Sequence, residues 1–202
     1  MTRRGAPVAG VLLAAGGSTR MGANKLLLEM GGEPLLRRAA GAALAAGLAP
    51  LVVVLGHEAD LAKAALEGLP CRTVHNPDHA AGQGTSLRAG LAALPVEVAA
   101  AVVLLADMPL VTAGMIAALA ERYRSSTAPL VLSDYGGVAA PPTLYDRALF
   151  AELDAPGDRP GQQVVARHRA AALSVAFPAE ALADVDLPDD LARLCARPRS
   201  TP

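Results

Sequence analysis

Val8-Ala9-Gly10-Val11-Leu12-Leu13-Ala14-Ala15-Gly16-Gly17-Ser18-Thr19-Arg20-Met21-Gly22-Ala23-Asn24-Lys25 is the stretch whose reading decides the fold and points to the chemistry. Its opening residues, Val8–Ala15, are apolar without alternation, the pattern of a strand covered on both faces. The run ends in glycines, and residues 16–22 then hold three glycines and two hydroxyl side chains. Such a loop turns backbone N–H groups toward an anion with no Cβ in the way. Arg20 adds a planar fork for phosphate oxygens and Lys25 a compact positive charge. About eighteen residues separate this strand from a helical stretch opening at Pro34, where ordinary βα loops run to about 2–6 residues. Neither familiar phosphate loop fits. Gly17 and Gly22 have the Walker spacing, but Ala23-Asn24 follow instead of Lys-Ser/Thr, and Gly-x-Gly-x-x-Gly is absent.

Outward from this loop, apolar runs alternate with Ala/Leu-rich stretches. Strands are expected at Val8–Ala15, Leu51–Leu55, Arg72–His75, Ala101–Leu105, Leu130–Leu132, Pro142–Leu144 and Leu173–Phe177. Helices are expected at Pro34–Ala46, Glu58–Leu66, Thr85–Leu94, Thr112–Tyr123, Asp146–Leu153, Gly161–Arg169 and Pro188–Ala196. Thr112 reads as an N-cap, Gly47 as a C-cap, and Pro34 suits a first helical turn. The alternation defines an α/β fold of three layers with a mostly parallel central sheet. With no repeat and no linker, the 202 residues read as a single domain with its core over about 8–192 and a frayed tail at 197–202. In open α/β sheets ligands bind beyond the carboxyl ends of the strands, so the loops after the strands carry the function.

Composition narrows the classes. Apolar residues make up 52% and aromatics 2%, with no Trp, two Phe and three Tyr, which argues against stacking platforms for single-stranded nucleic acid and against aromatic cages. A net charge of −1 argues against a polyanion binder. No apolar run has the length of a membrane span. Cys71 and Cys195 lie far apart and form no CxxC pair, so a reducing cytoplasm is expected. Arg3-Arg4 before an apolar stretch resembles a twin-Arg leader, but cleavage there would destroy the Gly loop, so the protein is read as cytoplasmic. Against sixteen Arg the chain holds two Lys, Lys25 and Lys63, and such scarcity directs attention to Lys25.

Leu13-Ala14-Ala15-Gly16-Gly17-Ser18-Thr19-Arg20-Met21-Gly22-Ala23-Asn24-Lys25 resembles the signature LAAGxSxRMGxxK of nucleotidyltransferases, and most closely that of the MobA-like NTP transferases. The resemblance implies the Rossmann-like nucleotidyltransferase fold of the nucleotide-diphospho-sugar transferase type. It also implies nucleotide contacts from Leu13, Ala14, Ala15, Gly16, Gly17, Ser18, Arg20, Gly22 and Lys25, with Arg20 and Lys25 stabilising the triphosphate. His75-Asn76-Pro77-Asp78-His79-Ala80-Ala81-Gly82-Gln83-Gly84-Thr85-Ser86-Leu87-Arg88-Ala89-Gly90 is similar to the family's second nucleotide segment, which adds Asn76, Gly84 and Ser86. Ser86 would sit in a helix's first turn, where N–H groups are unsatisfied; a plain surface helix start is the competing reading. His75 and His79 stand at i and i+4, but Pro77 breaks that register, so they are not read as metal ligands.

Leu104-Leu105-Ala106-Asp107-Met108-Pro109 matches the family's L-A-D-M-P, in which the Asp binds the catalytic magnesium. An acidic residue ending an apolar central strand is also well placed for Mg²⁺ on physical grounds. Asp184-Val185-Asp186-Leu187-Pro188 resembles the family's D-x-D-T-P, with Leu in place of Thr. The resemblance implies that one of these acidic residues returns to the metal; Asp184 and Asp186 share a face if the segment is extended, so the sequence does not choose between them. Ala139–Tyr145 lies where related chains carry a Gly-His-Pro turn and here lacks the His. Gly157-Asp158-Arg159-Pro160-Gly161 resembles an acceptor-side loop, in which Arg159 would meet a phosphate and Asp158 orient it; a plain Gly-Asp turn is the alternative.

The activity implied is Mg²⁺-dependent transfer of a nucleoside monophosphate from an NTP to a phosphorylated acceptor, with pyrophosphate released. Leu13-Ala14-Ala15-Gly16 and Ser86-Leu87 resemble the cytidylyl members, so CTP is the expected nucleotide and the phosphate of molybdopterin or molybdenum cofactor the acceptor, with a molybdoenzyme as downstream partner. A guanylyltransferase, a transferase for another phosphorylated small molecule, a nicotine-blue-type NAD(P)H oxidoreductase and a molybdenum cofactor delivery protein remain as alternatives.

Overall fold

The structure is a computed structural model, which describes residues 5–16, 24–155, 157, 159–185, 190, 191 and 193. Seven strands are described, β1 (Val8–Ala14), β2 (Leu51–Leu55), β3 (Arg72–His75), β4 (Ala100–Leu105), β5 (Leu130–Tyr135), β6 (Val138–Asp146) and β7 (Leu173–Phe177). They form one sheet in the order β3-β2-β1-β4-β6-β5-β7. Only β6 runs antiparallel to its neighbours; the other pairings are parallel. The helices are α1 (Leu35–Ala45), α2 (Ala59–Ala65), α3 (Gln83–Ala92), α4 (Ala113–Arg124), α5 (Phe150–Leu153) and α6 (Pro160–His168).

The unbroken apolar runs work as their pattern demands. In β1, Val8, Leu12 and Ala14 face one core while Ala9, Val11 and Leu13 face the other. β2 and β4 divide in the same way, so each central strand is buried on both sides. Leu36, Ala40 and Ala43 of α1 with Ile116, Leu119 and Tyr123 of α4 cover the first face. Leu87 and Leu91 of α3, Leu153 of α5 and Val164 of α6 cover the second. Each fully buried Leu or Val contributes about 1.5–3 kcal/mol relative to exposure, which is what holds helices with modest amphipathicity against the sheet. Gly90 brings α3 close, for a Cβ there would lie 2.4 Å from Val11 Cγ1.

The helix signals hold where side chains make them. Thr112 accepts a hydrogen bond from the Met115 N–H at 3.3 Å, and Gly47 follows α1 with a φ of +77°. Pro34 stands one residue earlier than expected, as the N-cap of α1. Two expectations change. β5 and β6 extend well beyond Leu130–Leu132 and Pro142–Leu144, meeting in a hairpin at Gly136-Gly137, whose φ values of +65° and +96° are those glycine permits. The pair also shifts register between Leu132 and Ser133, where the prolines of β6 interrupt donors to the ladder. The helix expected at Asp146–Leu153 is a 3-10 turn at Arg147–Leu149 followed by the short α5, because Asp146 caps the turn by accepting from Ala148 N at 2.8 Å. Most of the helix expected at Pro188–Ala196 lies outside the described residues; Asp190, Leu191 and Arg193 are helical. Among the described residues no helix is long and apolar enough to cross a membrane.

Candidate active site

At the carboxyl ends of β1 and β4 the two residues singled out from separate loops meet. Lys25 Nζ lies 2.7 Å from Asp107 Oδ2, with 14% and 24% of the side chains exposed. Each is held by its own neighbours. Asn24, buried, accepts from the Leu26 N–H at 3.2 Å and so starts a 3-10 turn over Lys25–Leu27. Leu26 anchors that turn in the core, which fixes the point from which the lysine reaches. On the other side Ala106 N donates to Leu13 O at 3.2 Å, carrying the β1–β4 pairing one residue past the strand. Asp107 therefore emerges beside the start of the Gly loop. Val185 N donates to Asp107 O at 3.0 Å, and its side chain is fully buried beside Leu35. That contact brings the acidic segment to the site, with Asp184 exposed next to it.

The pair lines a cavity of about 180 Å³ with Leu13, Ala14, Ala15, Gly16, Leu26, His79, Gln83, Ser86 and Leu105. Lys25, Asp107, Ser86 and Leu13–Gly16, taken from separate segments of the sequence, thus line one cavity. Asn76 is placed differently from the others. It is buried, donates to Thr85 Oγ1 at 2.8 Å and to Ser86 Oγ at 3.0 Å, and accepts from Asp78 N at 3.1 Å. Its amide ties the loop after β3 to the first turn of α3 and orients Ser86. Gly17, Ser18, Arg20, Gly22, Asp158 and Asp186 lie outside the described residues.

Sequence reasoning missed His79 and Gln83 as cavity walls. His75 and His79, four positions apart in the sequence, line different cavities. The His79 Nδ1 lies 3.2 Å from Asn76 O and its ring packs on Gly56, where a Cβ would come within 2.6 Å. The signal available was the density of Gly and polar residues around it, not its spacing.

A second cavity of about 650 Å³ shares Leu13, Gln83 and Leu105 with the first. Its walls include Gly84, Val138–Pro141, Tyr145, Arg159, Gln162 and Arg169. It therefore unites the Ala139–Tyr145 and Gly157–Gly161 segments and the start of α3. Gly84 is required by contact, since a Cβ there would sit 2.2 Å from Gly157 O. Burial pushes the Tyr145 hydroxyl up to about 12, against a lowering from Thr143, so it stands as a neutral donor toward Gly161 O at 3.4 Å. Among the described residues no three His, Cys, Asp or Glu side chains gather into a metal cage. The partly exposed Asp107 carboxylate that lines the smaller cavity is nevertheless the oxygen donor a hard divalent cation takes.

A sheet of this topology, with a cation and a carboxylate converging at its switch point, defines a nucleotidyltransferase-type fold. The MobA-like NTP transferase domain model matches residues 10–172, and the chain belongs to that family. It is 36% identical over 153 residues to the bifunctional protein GlmU of Kineococcus radiotolerans, covering 73% of this chain and 30% of that protein. The chain thus spans under a third of that curated relative. The crystal structure of Rv0371c from Mycobacterium tuberculosis H37Rv is similar at a TM-score of 0.84 and 28% identity, covering 95% of this chain and 99% of that one. A second crystal structure of Rv0371c is a complex with manganese, with a TM-score of 0.76 over 94% of this chain and 98% of that one. A nucleotidyl transferase from Methanothermobacter thermautotroptrophicus shares the fold at a TM-score of 0.81 and 21% identity, over 94% of this chain and 96% of that one.

Proposed function

We propose that the chain transfers CMP from CTP to the terminal phosphate of a phosphorylated pterin, molybdopterin or molybdenum cofactor, with release of pyrophosphate. The observation that carries this reading is the convergence of Lys25 and Asp107 in a small cavity that shares walls with a larger one. The smaller space suits the triphosphate, and the larger, with apolar walls and Arg159 and Arg169 at its rim, suits a flat acceptor bearing phosphate.

In this reaction an acceptor phosphate oxygen attacks the α-phosphorus in line. The new oxygen–phosphorus bond forms as the bond to the β-phosphate oxygen breaks, and pyrophosphate leaves with the electron pair. No protein nucleophile is needed, so catalysis rests on positioning and charge neutralisation. Lys25, with Arg20, neutralises the charge that grows on the departing pyrophosphate. The Ala14–Gly16 backbone bounds the phosphate space, and Ser86, set by Asn76, presents its hydroxyl to the nucleotide. Asp107, with Asp184 or Asp186, would hold Mg²⁺, which when bound supplies Lewis-acid stabilisation of phosphate oxygens. The manganese in a crystal of a 28% identical relative supports a divalent cation. CTP rests on the Leu13–Gly16 and Ser86-Leu87 resemblance.

Pyrophosphate release from each NTP, with Mg²⁺ and molybdopterin or molybdenum cofactor, tests the reading. Release with CTP, dependent on the pterin, is expected. Release with GTP moves the chain to the guanylyl branch. No release with any nucleotide overturns transfer to a pterin.

A further inference from the structure

The Lys25–Asp107 pair joins the two groups to which the proposed reaction gives different partners, the lysine a triphosphate and the aspartate a cation. In this structure the two form an ion pair at 2.7 Å, largely withdrawn from water. An ammonium at hydrogen-bond distance from a carboxylate oxygen occupies the position a cation would take there and neutralises the negative charge that cation would need. Both ends of the pair are constrained. The Asn24 cap and buried Leu26 hold the lysine backbone, and Ala106 N–Leu13 O with Val185 N–Asp107 O holds the aspartate. The contact is therefore built into the site and is more than a chance meeting of surface side chains.

We propose that Lys25 is a competitive gate on the cation site: it holds Asp107 until a nucleotide triphosphate draws the ammonium away, so the protein takes up its divalent cation as the cation–nucleotide complex and excludes the free ion. This rests on the nucleotidyltransferase reading of the site. The triphosphate is the one ligand of the proposed reaction that both attracts Lys25 and brings oxygen ligands for the cation. Exchange of one counter-ion for another then keeps Asp107 compensated throughout, and an unpaired carboxylate never has to be left in a partly buried place. Linkage makes the effect reciprocal, since whatever nucleotide gains from the cation, the cation gains from nucleotide.

The test uses Mn²⁺ as a spectroscopic substitute, with the free ion counted by electron paramagnetic resonance in wild-type protein and in Lys25→Met, Lys25→Gln, Asp107→Asn and Lys63→Met variants. Circular dichroism establishes that each is folded. Without nucleotide, wild type should bind Mn²⁺ weakly, and Lys25→Met and Lys25→Gln about tenfold more tightly. Adding Asp107→Asn to Lys25→Met should remove that gain, and Lys63→Met, which alters the chain's other lysine in a different cavity, should change nothing. Lys25 variants that bind Mn²⁺ no better than wild type overturn the gate. So does an equal gain in Lys63→Met, which would mark a general charge effect. Failure of the transfer reading shows itself separately, as absent pyrophosphate release, because these affinities require no acceptor.

Discussion

Val185 donates its backbone N–H to the carbonyl of Asp107 at 3.0 Å, across 78 positions of sequence, and with its side chain buried it fixes how the acidic segment approaches the end of β4. Asp184 is thereby held, through its neighbour Val185, beside the loop that carries Asp107. Asp107→Asn should lower transfer roughly 10²–10³-fold by removing charge where charge is needed in the transition state. Asp184→Asn should cost less, roughly tenfold, if it shares the cation, and nothing if Asp186 does; comparing kcat for the Asp107, Asp184 and Asp186 variants decides. Full activity in Asp107→Asn would remove that residue from the mechanism.

Asn76 supports the site from behind. Its amide spends its polar atoms on Thr85, Ser86 and Asp78, all inside the fold. Asn76→Ala leaves the buried Ser86 hydroxyl and Asp78 N–H without that partner and should destabilise by about 2–3 kcal/mol, read from the urea midpoint. Since the loop also sets Ser86 and His79, KM for nucleotide should rise more than kcat falls. An unchanged midpoint would show that water or the backbone replaces the amide without loss.

How far the sequence carried the fold follows from the kind of signal each element gives. β1, β2 and β4 were legible because burial on both faces leaves an uninterrupted apolar run, and the structure buries every residue of β2. β6 was cut short because Pro141, Pro142 and a run of small residues hide a strand exposed at one end. The convergence of Lys25 and Asp107 was legible only through a resemblance, since 82 residues separate them and no periodicity links loops of different strands. His79, Tyr145 and Arg169 were illegible as cavity walls because a lone polar residue carries no pattern. Only the return of the chain puts His79 on the smaller cavity and Tyr145 and Arg169 on the larger one beside it.

Gly84 and Gly41 make opposite predictions for the same change. At Gly84 an added Cβ would stand 2.2 Å from the Gly157 carbonyl, a backbone atom that cannot rotate aside. Gly84→Ala should therefore push the loop leading to Arg159 off α3, raising KM for the acceptor about tenfold while KM for nucleotide stays within about twofold. Gly41, inside α1, meets nothing within 4 Å, so Gly41→Ala should stabilise by about 0.5–1 kcal/mol through helix propensity alone. Steady-state kinetics on the first and thermal unfolding on the second check both. Equal KM changes for both substrates in Gly84→Ala would show that the displacement reaches the smaller cavity.

Tyr145 predicts an alkaline limit to stability. Burial raises its hydroxyl to about 12, above the usual value near 10, so in the folded chain the phenol stays protonated where the unfolded chain ionises. Below pH 10 both states hold the proton and stability does not depend on this group. Between pH 10 and 12 the unfolded state binds fewer protons, so stability falls as pH rises, by about 2–3 kcal/mol for a shift of this size, and levels off above the folded value. Burial pushes Tyr135 in the same direction, also to about 12, while its hydroxyl donates to Pro141 O at 2.9 Å. Because Tyr135 titrates in the same window, the measurement is a difference. The urea midpoint of wild type should fall relative to that of Tyr145→Phe as pH rises from 10 to 12, since Phe has no proton to lose. Curves that remain parallel across that window would mean the hydroxyl reaches solvent through the larger cavity and ionises in the folded chain as readily as in the unfolded one.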